Sequence, residues 1–563
     1  MVSNKNWNIA KRLPSETLDE LKHFPPVIAQ LLHNRGINTL PEANAFFHPS
    51  SHSLHNPLNL PDMHSAITRI EAALEANELV GIFGDFDADG VTATSVLALG
   101  LMDLGIRIFP YIPNRTDEGH GLNLEAIGYL SNQGVSLIIT VDCGITSVAE
   151  ISYAKTMDID TIVTDHHQPL DELPISMANI NPQIGGHSYP FNGLTGVGLA
   201  FKLIQGLYEN LGLNWNTQLL QLVAIGTITD VGPLLDENRY IVTAGLDSMY
   251  RDPLPGLKAL LSLSRIKDGD KLDAHAISFS IGPLVNAPGR LGDAMKSYNI
   301  LTSKTKDQAY ILAQEIDQIN KKRRDMTQKA MEIVKTNLDG RDENEAITLV
   351  WDEQFTPGIV GLIASRLVDQ YAKPAIAIAI DGDWARGSAR SIRQFNLVAA
   401  LSQCEDLFIR FGGHPMAAGF TIKTIHLPIL KERLSNIALE SLKEKELIPT
   451  LNIDANVRVS SLTGETFKII QSMEPFGEAN TQPLFITTGV EVKSFQYIGK
   501  KKQHLRMRLY HNGSIWDAVA FNQAISWDGS YKTVDIVYTV DIDNWSGKDV
   551  FKLYIKDFRV SNN

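Results

Sequence analysis

The chain has 563 residues, of which 44% are hydrophobic and 20% charged, and its formal net charge is −13. This composition is typical of folded globular proteins and excludes collagenous and disordered chains, while the length exceeds the roughly 250 to 300 residues that one hydrophobic core organises. The negative charge argues against a protein that coats DNA nonspecifically, because such affinity comes mostly from Lys and Arg.

Cysteine content and hydropathy indicate the compartment. Cys143 and Cys404 are the only cysteines, too few for a disulfide framework, and we expect both to be packing residues in a reducing environment. No stretch approaches the ~20 uninterrupted apolar residues of a membrane span, and the first residues lack the apolar core of a signal peptide. The sequence therefore predicts a cytoplasmic protein without a membrane anchor.

The first half of the chain changes pattern near residue 76. Residues 1–75 predict an N-terminal extension of short helices broken by prolines. Residues 76–240 alternate apolar β-runs with helical stretches, which indicates βαβ units on a parallel sheet covered on both faces. In such sheets the carboxyl ends of the strands converge on one crevice where ligands bind.

The second half predicts three further regions. Residues 241–340 are helical and end in a long, charged connecting helix at about 304–338. Residues 341–447 repeat an α/β pattern on a smaller scale. Residues 448–563 are rich in strands, with a hairpin turn at Asn512-Gly513, and predict a small OB-like barrel. The predicted fold class is α/β with a C-terminal β-barrel.

The first acidic motif is GDFDADG at 84–90, between an apolar strand and a helix. Asp85, Asp87 and Asp89 alternate along it, and three neighbouring carboxylates repel one another unless a cation neutralises them. A calcium-binding EF-hand would need a helix before the loop and a Glu that closes it. A solvated acidic loop stays open as the alternative.

Three more polar sites follow apolar segments. Asp142 lies in TVDCG, Asp165-His166-His167 follows another β-run, and Asp230 lies in the apolar stretch AIGTITDVGPL. Asp142 alone is equally well a helix N-cap, but buried adjacent imidazoles and carboxylates are costly without a metal or hydrogen-bond partners. The mixed nitrogen and oxygen set suits two Mn²⁺ or Mg²⁺ ions and phosphoryl-transfer chemistry that needs no Ser or Cys nucleophile.

In this order GDFDADG, VDCG, DHH and TDVGPL resemble the four motifs of the DHH phosphoesterase superfamily. NAPGR at 286–290, GSARS at 387–391, GGHPMAAG at 412–419 and PFGEANTQPLF at 475–485 narrow the resemblance to the RecJ family, over residues from about 75 to 560. The resemblance implies a DHH domain, a linking helix, a DHHA1 domain and an OB-fold. It also implies a 5′→3′ exonuclease that degrades single-stranded DNA to nucleoside 5′-monophosphates with two Mn²⁺ or Mg²⁺ ions.

The resemblance also implies roles for single residues. The metal positions fall on Asp85, Asp87, Asp89, Asp142, His166, His167 and Asp230. Asp142, His166 and His167 are the expected catalytic residues, with Asp142 as the bridge between the metals and Asp165 orienting a histidine. The expected phosphate-binding residues are Arg115, Arg290, Ser388, Arg390 and His414. Two positions depart from the family, since Ala389 replaces a usual Gly and His120 a usual Tyr.

Beyond the cleft, two basic segments are candidates for nucleic-acid contacts. Lys500–Lys502, Arg506 and Arg508 lie near Phe495 and Tyr497, a mixture that suits stacked single strands or, alternatively, a solvated hairpin. Residues 321–324 on the long helix either follow a phosphate backbone or pair with nearby acids. The resemblance further implies a monomer that acts with single-strand-binding protein and a RecQ-type helicase in recombination and in mismatch or base-excision repair.

Two other functions stay open at this point. One is a DHH hydrolase of small substrates such as pyrophosphate, a cyclic dinucleotide or very short oligonucleotides. The other is a noncatalytic binding subunit, as in relatives that lost metal ligands. The linking helix and barrel disfavour the first, because their extended surfaces suit polymers, and the full set of candidate ligands disfavours the second.

Overall fold

A computed structural model describes residues 5–115, 117–264, 266, 272–338, 345–443, 448–527, 529–543 and 550–561. The chain divides into two units, one of residues 51–447 and the other of residues 1–50 together with 448–563.

The first 50 residues hold three short helices, the type of element that the sequence predicts there, and a short strand that it does not predict. They are β1 (Asn6–Ile9), α1 (Ser15–Glu20), α2 (Pro26–Asn34) and α3 (Leu40–Phe47). Pro26 begins α2, where a missing backbone N–H costs nothing. Thr39 and Glu42 form a capping box that starts α3.

A parallel sheet with helices on both faces follows, which confirms the predicted βαβ architecture. Its strands are β2 (Leu79–Gly84), β3 (Arg107–Tyr111), β4 (Val135–Val141), β5 (Asp160–Thr164) and β6 (Ala178–Ile180). Its helices are α4 (Met63–Glu75), α5 (Ala88–Asp103), α6 (Leu124–Asn132), α7 (Val148–Thr156), α8 (Gly196–Asn210) and α9 (Leu219–Thr229). The strand order is β3-β2-β4-β5-β6, and every pair is parallel.

Both faces of this sheet are buried because successive strand residues alternate between two cores. Ile82 and Ile139 belong to the core that contains residues of α5, α8 and α9. Phe83 and Ile138 belong to the opposite core, with residues of α6 and α7. The strand ends are thereby fixed in position, since a strand packed on both faces cannot slip without exposing its apolar residues.

A helical region connects this sheet to the next one. Its helices are α10 (Asp236–Arg251), α11 (Pro255–Leu263), α12 (Ala274–Ala276), α13 (Gly282–Leu291), α14 (Met295–Leu301) and α15 (Lys306–Leu338). The 33 residues of α15 match the long helix that the sequence predicts and span roughly 50 Å at 1.5 Å per residue. Among the described residues no helix combines the length and the apolar character that crossing a membrane requires.

The smaller α/β pattern forms a mixed sheet. Its elements are β7 (Thr348–Asp352), α16 (Pro357–Tyr371), β8 (Ala375–Asp381), β9 (Trp384–Arg390), α17 (Leu397–Ser402), β10 (Phe408–His414), β11 (Ala417–Lys423) and α18 (Leu427–Leu442). The order is β10-β11-β9-β8-β7, with β7 parallel to β8 and the other pairs antiparallel. The central strand β9 therefore carries the GSARS segment in a firmly paired position.

The C-terminal strands close into a barrel, which confirms the predicted OB-like fold. The elements are β12 (Thr450–Ile453), β13 (Ala455–Asn456), α19 (Glu465–Ser472), β14 (Phe485–Ile498), β15 (His504–His511), β16 (Ser514–Ala520), β17 (Thr533–Asp543) and β18 (Val550–Val560). Pairing of β14 with β17 closes the order β14-β15-β16-β18-β17. Asn512 and Gly513 have φ values of 48° and 84°, as a type I′ hairpin turn requires.

The basic and aromatic residues predicted to lie together on the barrel fall on one strand pair, β14 and β15, but on its two faces. Phe495 pairs with Met507 and Tyr497 with Leu505, whereas Arg506 pairs with Gln496. Residues directly opposite each other share a face of the sheet, and Met507 and Leu505 are buried. Phe495 and Tyr497 therefore share the face of Met507 and Leu505 but remain 38% and 39% exposed, and Arg506 lies on the other face, so nucleic-acid contacts of this hairpin stay a prediction.

Candidate metal centre

The register of the parallel sheet brings three aspartates together. Gly84 pairs with Val141, and Val141 pairs with Thr164, so the three strands end at the same level. The residues that follow are Asp85, Asp142 and Asp165. Neighbouring strands lie about 4.8 Å apart, so these side chains leave the sheet next to one another.

The first motif folds tightly because α5 begins within it. Asp87 Oδ1 accepts hydrogen bonds from the backbone N–H groups of Asp89 (2.9 Å) and Gly90 (3.2 Å), which caps the helix. A Cβ on Gly90 would lie 2.4 Å from the Asp85 carbonyl oxygen, so the turn has no space for a side chain there. The result places carboxylate oxygens of Asp85, Asp87 and Asp142 within 4.8 Å of one another.

Asp142 occupies the middle of the cluster. Its φ of 60° is in the left-handed region, a conformation that non-glycine residues seldom adopt and that is often found at functional sites. Its carboxylate belongs to two candidate ligand groups, one with Asp85 and Asp87 and one with His166 and His167. Asp142 therefore lies where a residue shared by two cations would have to lie.

The two histidines complete the second group. His166 Nε2 is 3.1 Å from Asp142 Oδ1 and 3.6 Å from Asp230 Oδ2. His167 Nδ1 is 2.7 Å from Asp165 Oδ1, and this contact fixes the orientation of the His167 ring. Carboxylates in this position behind a metal-binding histidine are common, which supports the predicted orienting role of Asp165.

Asp89 differs from the other aspartates because both of its oxygens have backbone partners. They accept hydrogen bonds from Gly196 N (2.7 Å) and Val197 N (2.9 Å) at the start of α8. Asp89 also forms a compact group with His166 and Asp230, with potential ligand atoms within 4.8 Å. The structure thus gives Asp89 a clear role as the anchor of α8, and its role as a ligand stays a prediction.

The carboxylates of the cluster oppose one another's charge. Burial, followed by the charge of Asp89, raises the pKa of Asp142 well above its usual value. Burial, followed by the charge of Asp230, does the same to the pKa of Asp89. Burial followed by the charge of Asp87 raises the pKa of Asp230 to about 7. A divalent cation would reverse these shifts because it favours the charged carboxylates.

The two imidazoles are held in different charge states. Burial, and then the charge of His167, lowers the pKa of His166 to about 4, so His166 is neutral and available as a ligand. Burial opposes the charge on His167, but the hydrogen bond and charge of Asp165 outweigh it and raise its pKa to about 9. Cation binding at His167 would therefore release a proton.

The donor set fits hard divalent cations. Asp85 Oδ1 and Asp142 Oδ1 are buried and have no hydrogen-bond partner, which is costly for charged oxygens unless another group binds them. Carboxylate oxygens with neutral imidazole nitrogen suit Mn²⁺ or Mg²⁺. The described residues therefore include the acidic and histidine groups that a two-cation centre needs.

The predicted phosphate-binding residues gather beside this cluster. Arg115 stacks on the Phe86 ring, with its guanidinium carbon 4.9 Å from the ring centre. Arg390 donates to Ser388 Oγ at 3.2 Å. Burial, and then the charge of Arg115, lowers the pKa of both Arg390 and Arg290, that of Arg290 to about 9. Positive charge is therefore concentrated next to the acidic centre.

His414 lies at the end of β10 and faces the same centre. Its ring is stacked on that of His167, with the centroids 6.2 Å apart and the planes 9° apart. The smaller sheet thus brings His414 directly to the candidate metal cluster. Its role in phosphate binding stays a prediction, as do those of Arg115, Arg290, Ser388 and Arg390.

The two departures from the family pattern have different surroundings. His120 is exposed, lies 3.5 Å from Asp85 Oδ1 and contacts the Phe86 ring with centroids 4.3 Å apart. Ala389 is fully buried on β9, and its carbonyl oxygen accepts a hydrogen bond from Arg390 at 2.8 Å. His120 therefore replaces the usual Tyr at the edge of the cluster, whereas the Ala389 side chain points into the core.

Two supporting residues escaped the sequence analysis. A Cβ on Gly196 would lie 2.4 Å from Asp142 Cβ and 2.6 Å from Asp142 Oδ1, so α8 approaches the cluster closely. Asn286 accepts a hydrogen bond from Ala88 N at 3.0 Å and holds the first motif from α13. The Gly-X-Gly run at 196–198 could have indicated a close backbone approach at Gly196. The NAPGR motif, which begins with Asn286, could have drawn attention to that residue.

Family models match three parts of the chain. Residues 79–227 match the DHH family, N-terminal domain; residues 343–444 match the DHHA1 domain; and residues 453–557 match the RecJ OB domain. These matches agree with the expected domain order, while the exact boundaries stay predictions.

Curated relatives and a solved structure cover the same length. The single-stranded-DNA-specific exonuclease RecJ of Bacillus subtilis (strain 168) is 38% identical over 567 residues, covering 100% of this chain and 72% of the relative. The protein of the same name from Escherichia coli (strain K12) is 30% identical over 572 residues, covering 97% and 98%. The crystal structure of RecJ in complex with Mn²⁺ from Thermus thermophilus gives a TM-score of 0.86 at 27% identity, covering 100% of this chain and 80% of that one. The chain therefore belongs to the RecJ family.

Proposed function

We propose that this chain is a single-stranded-DNA-specific exonuclease that depends on two divalent cations, degrades its substrate in the 5′→3′ direction and releases nucleoside 5′-monophosphates. The observation that carries the proposal is the position of Asp142, whose carboxylate belongs to two neighbouring ligand groups. Membership of a family whose curated relatives are named single-stranded-DNA-specific exonucleases supports the choice of substrate.

Two bound divalent cations would activate the attacking water and neutralise the developing charge on the leaving oxygen. The chain's own residues supply the rest. The residues that would hold the cations are Asp85, Asp87, Asp89, Asp142, His166, His167 and Asp230. Asp165 would orient His167 through the 2.7 Å contact. Because these groups sit on paired strand ends and at the start of a helix, little reorganisation is required during the reaction.

Substrate positioning falls to the cationic side chains. Arg390 with Ser388 on β9 offers a guanidinium and a hydroxyl to a phosphate, and such a pair can bind a terminal phosphate through several hydrogen bonds. Arg115 lies near enough to lower the pKa of both Arg290 and Arg390, so the three guanidinium groups share one local field. This arrangement supports recognition of a 5′-phosphorylated end.

A nuclease assay tests the proposal. Wild-type protein with Mn²⁺ should release mononucleotides from the 5′ end of a long 5′-phosphorylated single strand, and chelation should stop it. Asp142→Asn should abolish release, because both cations lose a ligand, whereas Asp171→Asn, in an exposed loop, should not. Faster hydrolysis of dinucleotides than of long strands would favour the small-substrate hydrolase instead, and inactivity of the wild type with Mn²⁺ would favour the noncatalytic subunit.

We also propose, from the family resemblance, that the enzyme works as a cytoplasmic monomer in DNA repair and recombination. Single-strand-binding protein and a RecQ-type helicase would deliver its substrate. Light scattering should give the mass of one chain. Addition of single-strand-binding protein should change the rate at which the enzyme degrades coated DNA, and an unchanged rate would argue against that protein as a partner.

A further inference from the structure

The four basic side chains at 321–324 on α15 lie on different faces of the helix. Lys321, Lys322 and Arg324 are exposed, whereas Arg323 is partly buried. Residues three or four apart share one face of a helix, and Asn320 and Thr327 on the same face as Arg323 are buried. Arg323 is therefore the member of the run that turns toward the body of the protein.

Arg323 meets the helix that carries Arg290. α13 packs against α15, and the side-chain Nε atoms of both Arg290 and Arg323 are buried without a hydrogen-bond partner. Gly358, at the start of α16, lies against Arg290, since a Cβ there would be 1.9 Å from the Arg290 carbonyl oxygen. Three helices thus converge at two guanidinium groups whose Nε atoms are unsatisfied.

Positive charge continues from this point along α16. Arg366 lies eight residues after Gly358, which corresponds to about 12 Å along the helix, and is exposed. Burial and then the charges of Arg324 and Arg366 lower the pKa of Arg323, and the charge of Arg323 in turn contributes to lowering that of Arg290. An anion bound between neighbouring cationic side chains would stabilise their charged forms, because it offsets the repulsion between them.

In the described part of the chain no carboxylate lies within ion-pair distance of these groups, although the charge of Asp87 acts on Arg290 from farther away. Among the ion pairs of the described residues none involves Arg290, Arg323 or Arg366. A buried guanidinium with an unused N–H is costly, and a phosphate oxygen is a strong acceptor that matches its geometry. The arrangement suits a chain of phosphates better than a single one, because the cations are spread along two helices.

We propose that Arg323 binds a backbone phosphate of the single strand, adjacent to the phosphate held at Arg290, and that Arg366 continues this track. The inference rests on the proposed function and adds to it a contact from the linking helix. Arg323 is a positioning residue in this account, because it holds the strand and does not touch the reacting atoms. A DNA strand long enough to reach Arg323 would therefore contact the helix that joins the two α/β sheets.

The test compares Arg323→Gln with Lys322→Gln, which removes one charge from the exposed side of the same helix turn. Binding of a short 5′-phosphorylated oligothymidylate is measured by fluorescence anisotropy in EDTA over a series of salt concentrations. Arg323→Gln should weaken binding about tenfold, since one charged hydrogen-bonding contact is lost. It should also reduce the slope of log K against log salt by about 0.7, the value for one single-strand phosphate contact. Lys322→Gln should change neither quantity.

Wild-type affinity and salt slope in Arg323→Gln would overturn the inference. If that variant does not fold, Arg323→Met replaces it, because it keeps the aliphatic stem and removes the charge: weaker binding with a smaller slope supports the phosphate contact, and wild-type affinity and slope reject it. The nuclease assay on the wild type separates the two proposals. Mn²⁺-dependent degradation by the wild type, together with an unchanged salt slope of binding in Arg323→Gln, would reject only this inference. A wild type that does not degrade DNA would reject the proposed function.

Discussion

Replacing Gly196 by Ala should disable the centre without unfolding the protein. The added Cβ would lie 2.4 Å from Asp142 Cβ, whereas carbon atoms in contact prefer about 3.5 to 4.0 Å, so the two groups must separate by roughly 1 to 1.5 Å. A displacement of about 1 Å in a positioned catalytic group costs roughly 100-fold in rate. Overpacking of this kind destabilises a fold by about 1 to 3 kcal/mol. We therefore expect kcat/KM to fall about 100-fold in a protein that still folds.

The assay measures degradation of a 5′-phosphorylated single strand with Mn²⁺, together with the thermal midpoint of unfolding. Gly128→Ala is the matched control, since a Cβ on Gly128 within α6 meets no atom within 4 Å. That control should keep its activity and gain about 0.5 to 1 kcal/mol of stability from helix propensity. Wild-type kcat/KM in Gly196→Ala would show that Asp142 need not occupy its present position, and would refute the reasoning.

Three other substitutions separate charge, substrate binding and folding. Asp142→Asn should raise the thermal midpoint of the metal-free protein, because burial and neighbouring carboxylates oppose the charge of Asp142. The same variant should gain less stability from added Mn²⁺ than the wild type does. A lower metal-free midpoint would contradict this expectation. Arg390→Ala should reduce the preference for 5′-phosphorylated over 5′-hydroxyl strands about tenfold and leave Mn²⁺ stabilisation intact; an unchanged preference would exclude the residue from end recognition. Lys202→Met should cost about 3 to 5 kcal/mol in denaturant unfolding, because it leaves the buried Glu237, 3.2 Å from the lysine, without its cationic partner. The double variant Lys202→Met, Glu237→Gln should lose less, and an equal or larger loss would argue against this explanation.

Local patterns were enough to predict the sheet and the place of its aspartates. Asp85, Asp142 and Asp165 each follow an apolar run directly, and parallel strand ends meet at one edge, so their proximity follows from the chain order. The long helix α15 could be predicted for a similar reason, because its buried residues recur at spacings of three, four or seven positions, which keep them on one face. These features depend on periodicity that a short window of sequence contains.

Features that depend on distant contacts were not predictable. The pairing of Asn6 with Thr450 joins segments far apart in the chain, and no local signal marks it. The approach of Gly196 to Asp142 depends on how α8 packs, and the register between β14 and β15 decides which face carries Arg506. A run of residues shows which side chains alternate, but the partner strand decides which of the two faces is covered.

We propose that two divalent cations lie on either side of Asp142, and anomalous diffraction from crystals grown with Mn²⁺ would locate them. We expect two peaks about 3.5 to 4 Å apart that share the Asp142 carboxylate, one toward Asp85 and Asp87 and one toward His166 and His167. A single peak, or two peaks that Asp142 does not touch, would contradict it.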